Sequence, residues 1–154
     1  MKRESRILMM EQLDRKLRDL RPLAEVIVPE RGWLHSIRTA LGMSLRQLGE
    51  RLELTAQSVR EIEDREANGS ITLRSLRQAA NALDLELVYV LLPREDSLGE
   101  TVEKRAEQMA RSIVSRTSAS MELEAQEVSS ERIETAIRSK AEELIRSMPR
   151  YLWD

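Results

Sequence analysis

The stretch from Ser44 to Glu66, SLRQLGERLELTAQSVREIEDRE, constrains this chain more than any other. Leu45, Leu48 and Leu52 recur at spacings of three and four. Val59 and Ile62 repeat that spacing after a short break, so two amphipathic helices follow each other. Ser44 and Thr55 each precede a helical run and can cap it. Gln47 completes a capping box in the first case, whereas Ser58 stands in its place in the second. Gly49 falls where the two helices would cross, so their backbones can approach closely. A small residue, apolar faces and caps at these spacings describe a helix-turn-helix, whose second helix can enter the major groove of DNA. The plainer reading is a helical hairpin with no ligand.

The flanks are mostly helical as well. Ile7, Met10, Leu13, Leu17 and Leu20 form an apolar stripe over residues 5–20. That stripe either packs on its own domain or pairs with a second copy, and the run is short for an isolated coil. Pro22 and Pro29 bracket a connector to Gly32. Trp33, Leu34, Ile37 and Leu41 predict a helix that Gly42 ends. After a turn at Ala67-Asn68-Gly69, Thr72 starts a helix that runs to Leu83. Residues 97–114 and 131–148 are helical by the same periodicity, and Pro149 stops the last. Tyr151, Leu152 and Trp153 are unusual in a frayed tail and predict docking.

One segment breaks the pattern. Residues 86–92, ELVYVLL, are β-branched and aromatic, and Pro93 closes them, so they predict a short strand. A lone strand needs a partner for its backbone, and no second convincing strand stands in the sequence. Pairing with the same strand of another subunit through Val88, Val90 and Leu92 predicts a homodimer, with help from the 5–20 helix.

The chain has 154 residues, no cysteine and one histidine, which excludes disulfides and thiolate metal sites. No apolar run reaches the length of a membrane span, and the charged N-terminus does not resemble a signal peptide. The expectation is a cytoplasmic protein with no membrane contact. The formal net charge is −2, and the C-terminal third, residues 94–154, carries 10 basic and 13 acidic side chains. Any contact with double-stranded DNA therefore rests on a local surface, with specificity from base contacts. The fold class expected is mainly α, a repressor-like helix-turn-helix bundle with one short C-terminal strand and flanking helices. Its parts are an N-terminal helix and connector (1–31), the helix-turn-helix domain with its closing strand (32–93) and a helical extension (94–154).

Residues 33–83 resemble the helix-turn-helix domains of phage repressors. In those domains an Arg of the first helix pairs, buried, with a Glu near the end of the recognition helix. The resemblance assigns these structural roles to Arg38 and Glu63. It also places Thr55, Gln57, Ser58 and Glu61 on the groove-facing side of the recognition helix, with Arg60 nearby. The whole chain resembles the mobile mystery protein A family. The matching pieces are GWLHSIRTALGMS at 32–44, GSITLRSLRQAANALDLELVY at 69–89, MELEAQ at 121–126 and LWD at 152–154. That resemblance implies a regulator encoded beside a Fic-domain protein, and hence an antitoxin-like role.

Candidate contacts follow from side-chain chemistry. Gln57 can bond an adenine edge in bidentate fashion, Arg60 can reach a guanine or a phosphate, and Glu61 can accept from a cytosine amine. Arg46, near a helix start, is a phosphate candidate, Arg51 a weaker one, and Asn68 and Ser70 can touch the backbone. Each has a bland counterpart as a solvated helix or turn residue. His35 reads as solvated. Glu122, Glu124 and Glu127 alternate with apolar residues and read as a charged face. Fic proteins can be restrained by a Ser/Thr-x-x-x-Glu-Gly/Asn helix. Ser118 with Glu122, Ser130 with Glu134 and Ser139 with Glu143 supply its first part, but Leu123, Thr135 and Leu144 follow instead of Gly or Asn. No nucleophile–base pair, phosphate loop or metal triad is present, so neither catalysis nor a cofactor is expected. The competing function is a protein-interaction module that binds and restrains a partner enzyme, with the helix-turn-helix as scaffold.

Overall fold

The computed structural model describes residues 3–123 and 129–154. These hold seven α-helices: α1 (Arg3–Leu20), α2 (Gly32–Ala40), α3 (Leu45–Leu52), α4 (Ala56–Asn68), α5 (Leu73–Ala82), α6 (Leu98–Leu123) and α7 (Ser130–Ser147). Single 3-10 turns follow α1 and α7, at Arg21–Glu25 and Arg150–Trp153. The chain is mainly α, and none of the described helices is long and apolar enough to cross a membrane. Part of the MELEAQ segment, with Glu124 and Glu127, lies outside the described residues, as does the side chain of Glu122.

The expected strand is absent among the described residues. Residues 86–92, with Val88, Val90 and Leu92, run without regular structure. Their backbone makes no hydrogen bond to the rest of the described chain. The reason is the one that made a lone strand uneconomical: a ladder needs a second edge, and the described residues offer none.

Two compact units form. The central unit is Glu25–Val90, and the terminal unit joins the chain up to Ala24 to the chain from Leu91 onward. The N-terminal helix and the C-terminal extension, separate segments in the sequence reading, thus share one unit.

In the central unit, Leu34, Leu48, Val59, Ile62, Ala79 and Leu83 are buried together, one or two from each of α2 to α5 and the residue that follows α5. Caps set the helix starts. Ser44 Oγ accepts from Gln47 N at 3.2 Å, and Gln47 Oε1 accepts from Ser44 N at 2.8 Å. Thr55 and Thr72 accept from Ser58 N and Ser75 N, each at 3.1 Å. α2 has no side-chain cap of its own. Glu66 of α4 supplies it from a distance: its two carboxylate oxygens accept from Trp33 N and Leu34 N, both at 2.8 Å. Gly32 opens that turn at φ +82°, and a Cβ there would meet Glu66 Oε2 at 2.8 Å.

In the terminal unit, α6 and α7 pack along Val102, Ala106, Ala110, Ile137 and Leu144. The alanines are fully buried, and their small size lets the helices approach closely. α1 joins through a carboxylate, since Asp14 accepts from Leu98 N at 2.7 Å and Gly99 N at 3.1 Å and so caps α6. The apolar stripe of α1 is only partly covered: Met10 packs against the core, while Leu13 and Leu20 stay exposed. The closing residues dock on their own unit. Leu152 is fully buried, and its carbonyl accepts from Arg105 Nε at 2.6 Å.

Candidate nucleic-acid interface

The segment that the sequence reads as a helix-turn-helix forms α3, the turn Glu53–Thr55 and α4. Gly49 makes the tight turn possible, though through a different neighbour from the one expected. A Cβ at Gly49 would meet the carbonyl oxygen of Leu54 at 2.5 Å, so the close approach is to the turn itself. Leu54 N also donates to Gly49 O at 2.8 Å. Glu53 takes the left-handed conformation at φ 57°, which an L side chain adopts only at a cost.

The inner side of α4 is fixed by Val59 and Ile62 in the core and by Glu63 in a polar pin. Arg38 and Glu63 are 7% and 5% exposed. Arg38 Nε donates to Glu63 Oε1 at 2.5 Å and Arg38 Nη2 to Glu63 Oε2 at 3.1 Å, a bidentate pair. Arg38 Nη1 also donates to Met43 O at 2.7 Å, tying in the segment between α2 and α3. His35 belongs to the same group and is not the solvated residue expected: its Nδ1 lies 3.1 Å from Glu63 Oε2. Nδ1 also lies 3.3 Å from Arg38 Nη2, so one tautomer donates to the carboxylate and the other accepts from the guanidinium. Burial pushes the Glu63 carboxyl up, but the hydrogen bonds and charge of Arg38 and His35 outweigh it. The carboxyl is held below its ordinary value of 4.5.

The outer side of α4 carries Gln57, Arg60 and Glu61, all exposed. Gln57 and Arg60 stand three residues apart and therefore on one side of the helix. Among the described residues neither side chain has a hydrogen-bond or ion-pair partner, so both are available to a ligand. Glu61 faces Arg65 at 3.7 Å. Thr55 and Ser58 are engaged with each other, their hydroxyls 2.9 Å apart at the start of α4. Arg46 is exposed on α3 and pairs with Glu50 at 3.1 Å. Arg51 bonds Ala82 O and Asp84 across the unit, which makes it a structural residue. Asn68 accepts from Ser70 N at 2.9 Å, shaping the turn after α4.

Sequence reasoning passed over Arg74 and Arg77 on α5. Both are exposed and, among the described residues, without an ion pair. Their signal was available, since two arginines one helical turn apart on an exposed face follow from the periodicity of Leu73, Leu76 and Ala79. The central unit has 8 basic and 10 acidic side chains, so such unpaired cations matter more than its net charge for attracting phosphate. Compared with known proteins, the chain matches no family model, no curated protein and no solved structure.

Proposed function

We propose that this chain is a sequence-specific DNA-binding transcriptional regulator that reads double-stranded DNA with α4 and acts as a homodimer. One observation carries the reading. α4 is pinned on its inner side by Val59, Ile62 and the Glu63–Arg38 pair, while Gln57 and Arg60 project from its outer side with no partner among the described residues. A rigid helix that presents an amide and a guanidinium suits base readout in the major groove. Thr55 caps the helix, and its hydroxyl and that of Ser58 lie at the end that would approach a phosphate. Arg46, and with it Arg74 and Arg77, would supply backbone contacts that position without specifying.

The resemblance to the mobile mystery protein A family supports a narrower form: an autorepressor, and an antitoxin-like partner of a Fic-domain protein, working in the cytoplasm where its operator lies. Direct restraint through a Ser-x-x-x-Glu helix gains little support. Glu134 pairs with Arg111 at 3.2 Å and Glu143 with Lys140 at 2.9 Å. The acidic excess of the central unit favours one rival, a protein-interaction module for which the helix-turn-helix is a scaffold.

A mobility shift on the chain's own promoter and on scrambled DNA, at two salt concentrations, separates the two. The regulator reading expects preference for the promoter and weaker binding at the higher salt. Equal binding to both DNAs, or none to either, contradicts it.

A further inference from the structure

We propose that residues 86–94 form a two-fold antiparallel ribbon with the same residues of a second copy, in the register centred on Val90. The proposal rests on the homodimer reading and fixes its interface.

The segment is unfinished in the single chain. Val88, Tyr89 and Leu91 are 72%, 62% and 85% exposed, and the backbone from Glu86 to Arg94 bonds nothing among the described residues. Extended pairing would satisfy those donors and acceptors and cover the apolar side chains. The second copy is singled out by charge. Glu86 and Arg94 are both exposed, and among the described residues neither has an ion-pair partner. A two-fold axis through an antiparallel ribbon passes between one residue and its own copy. Centred on Val90, it sets Glu86 of one copy opposite Arg94 of the other, twice. Centred on Tyr89, it sets Glu86 against Leu92; centred on Leu91, it sets Arg94 against Val88. Only the Val90 register places opposite charges at both ends and apolar residues between.

Pro93 agrees with this register. Opposed residues alternate between hydrogen-bonded and non-bonded pairs. If Val90 bonds its own copy, so do Val88 and Leu92 with each other. Pro93, three residues from the centre, then faces Leu87 in a non-bonded pair, where its missing N–H costs nothing. Glu86, Val88, Val90, Leu92 and Arg94 share one face of the ribbon, and Leu87, Tyr89 and Leu91 the other.

The chain has no native cysteine, so introduced ones report the register cleanly. In a hydrogen-bonded pair the Cα atoms lie about 5.5 Å apart, within disulfide range. Val90→Cys should oxidise to a covalent dimer, and Tyr89→Cys should cross-link with Leu91→Cys when the two are mixed. Charge reversal gives the second reading, by sedimentation of the full chain. Glu86→Arg and Arg94→Glu should each raise the dimer dissociation constant roughly tenfold. An equimolar mixture of the two should recover a heterodimer of near wild-type affinity, because both pairs are then opposite in sign. A wild type that is monomeric at micromolar concentration overturns the proposal together with the homodimer reading. A wild-type dimer indifferent to all these changes overturns the register alone. The interface would then lie elsewhere, at the exposed stripe of α1 or the Val26–Val28 connector. A dimer in this register that binds no promoter upholds the proposal and counts against the DNA reading.

Discussion

The central and terminal units both have apolar cores, but the helix pairs α2–α4 and α6–α7 are tied in different ways. The central unit ties α2 to α4 with charge: the Arg38–Glu63 pair with His35, and the Glu66 carboxylate on the start of α2. The terminal unit holds α6 to α7 with an apolar seam of Val102, Ala106, Ala110 and Leu144. Its charged links, such as Arg111 with Glu107 and Glu134, lie on the surface. Polar pins are directional and fix how one helix is rotated against another, whereas an apolar seam tolerates small slips. On the proposed reading, the helix that must be aimed at DNA is the one held by the buried bidentate pair.

The largest expected effect tests that contrast in the central unit. Glu63→Ala leaves a buried guanidinium without its partner and should cost about 3–5 kcal/mol. The double variant Arg38→Met/Glu63→Met should lose less than the single one, because no charge is left stranded. Chemical denaturation followed through Trp33, in a Trp153→Phe background, isolates this unit. A Glu63→Ala midpoint within error of the parent would show that the pair does not hold α2 to α4.

For the terminal unit the matching change is Leu144→Ala. Leu144 is fully buried in the seam, and its truncation should cost about 2–5 kcal/mol. Followed through Trp153 in a Trp33→Phe background, it should shift the terminal transition. A loss below about 0.5 kcal/mol would mean that the seam is not the source of cohesion.

Acid should affect the two units differently. The folded-state pKa of Glu63 is lowered, so its stabilisation is complete above the ordinary value of 4.5 and is lost as pH falls through the lowered folded value. The central transition should therefore weaken below about pH 4.5, and Glu63→Gln should flatten that part of its pH dependence. An unchanged acid limb in Glu63→Gln would assign the effect to other carboxylates.

The smallest expected effect lies in the turn. Glu53 sits at φ 57°, where glycine is at ease, so Glu53→Gly should stabilise the central unit by about 1 kcal/mol or less. A loss of stability would mean that the Glu53 side chain contributes more than its backbone conformation costs.

How much of this was legible in the sequence depended on distance along the chain. The leucines of α3 and the caps at Ser44, Thr55 and Thr72 are local signals, and each has its counterpart in the fold. The turn read at Ala67-Asn68-Gly69 comes later, because α4 runs on to Asn68 and Gly69 caps it. The Arg38–Glu63 pair is 25 residues apart and was reachable only through the likeness to phage repressors. The Glu66 cap and the partnership of His35 had no such guide, because nothing near either residue announces a partner on another helix. α6 runs on to Leu123, past the end of its apolar period. There Thr117 and Ser120 return their hydroxyls to the carbonyls of Ile113 and Arg116, at 3.1 and 3.2 Å. Strand chemistry at 86–92 was legible, but a strand is a relation between two edges, and one chain supplies only one.

The central claim is that α4 reads bases while α3 only positions the protein. Binding curves of Gln57→Ala and Arg46→Ala against the promoter operator and its single-base variants test it most directly. Gln57→Ala should erase about 1–3 kcal/mol of discrimination at one operator position. Arg46→Ala should weaken every sequence alike and reduce the salt dependence by about one phosphate contact. Selectivity left intact by Gln57→Ala at every position would contradict the claim.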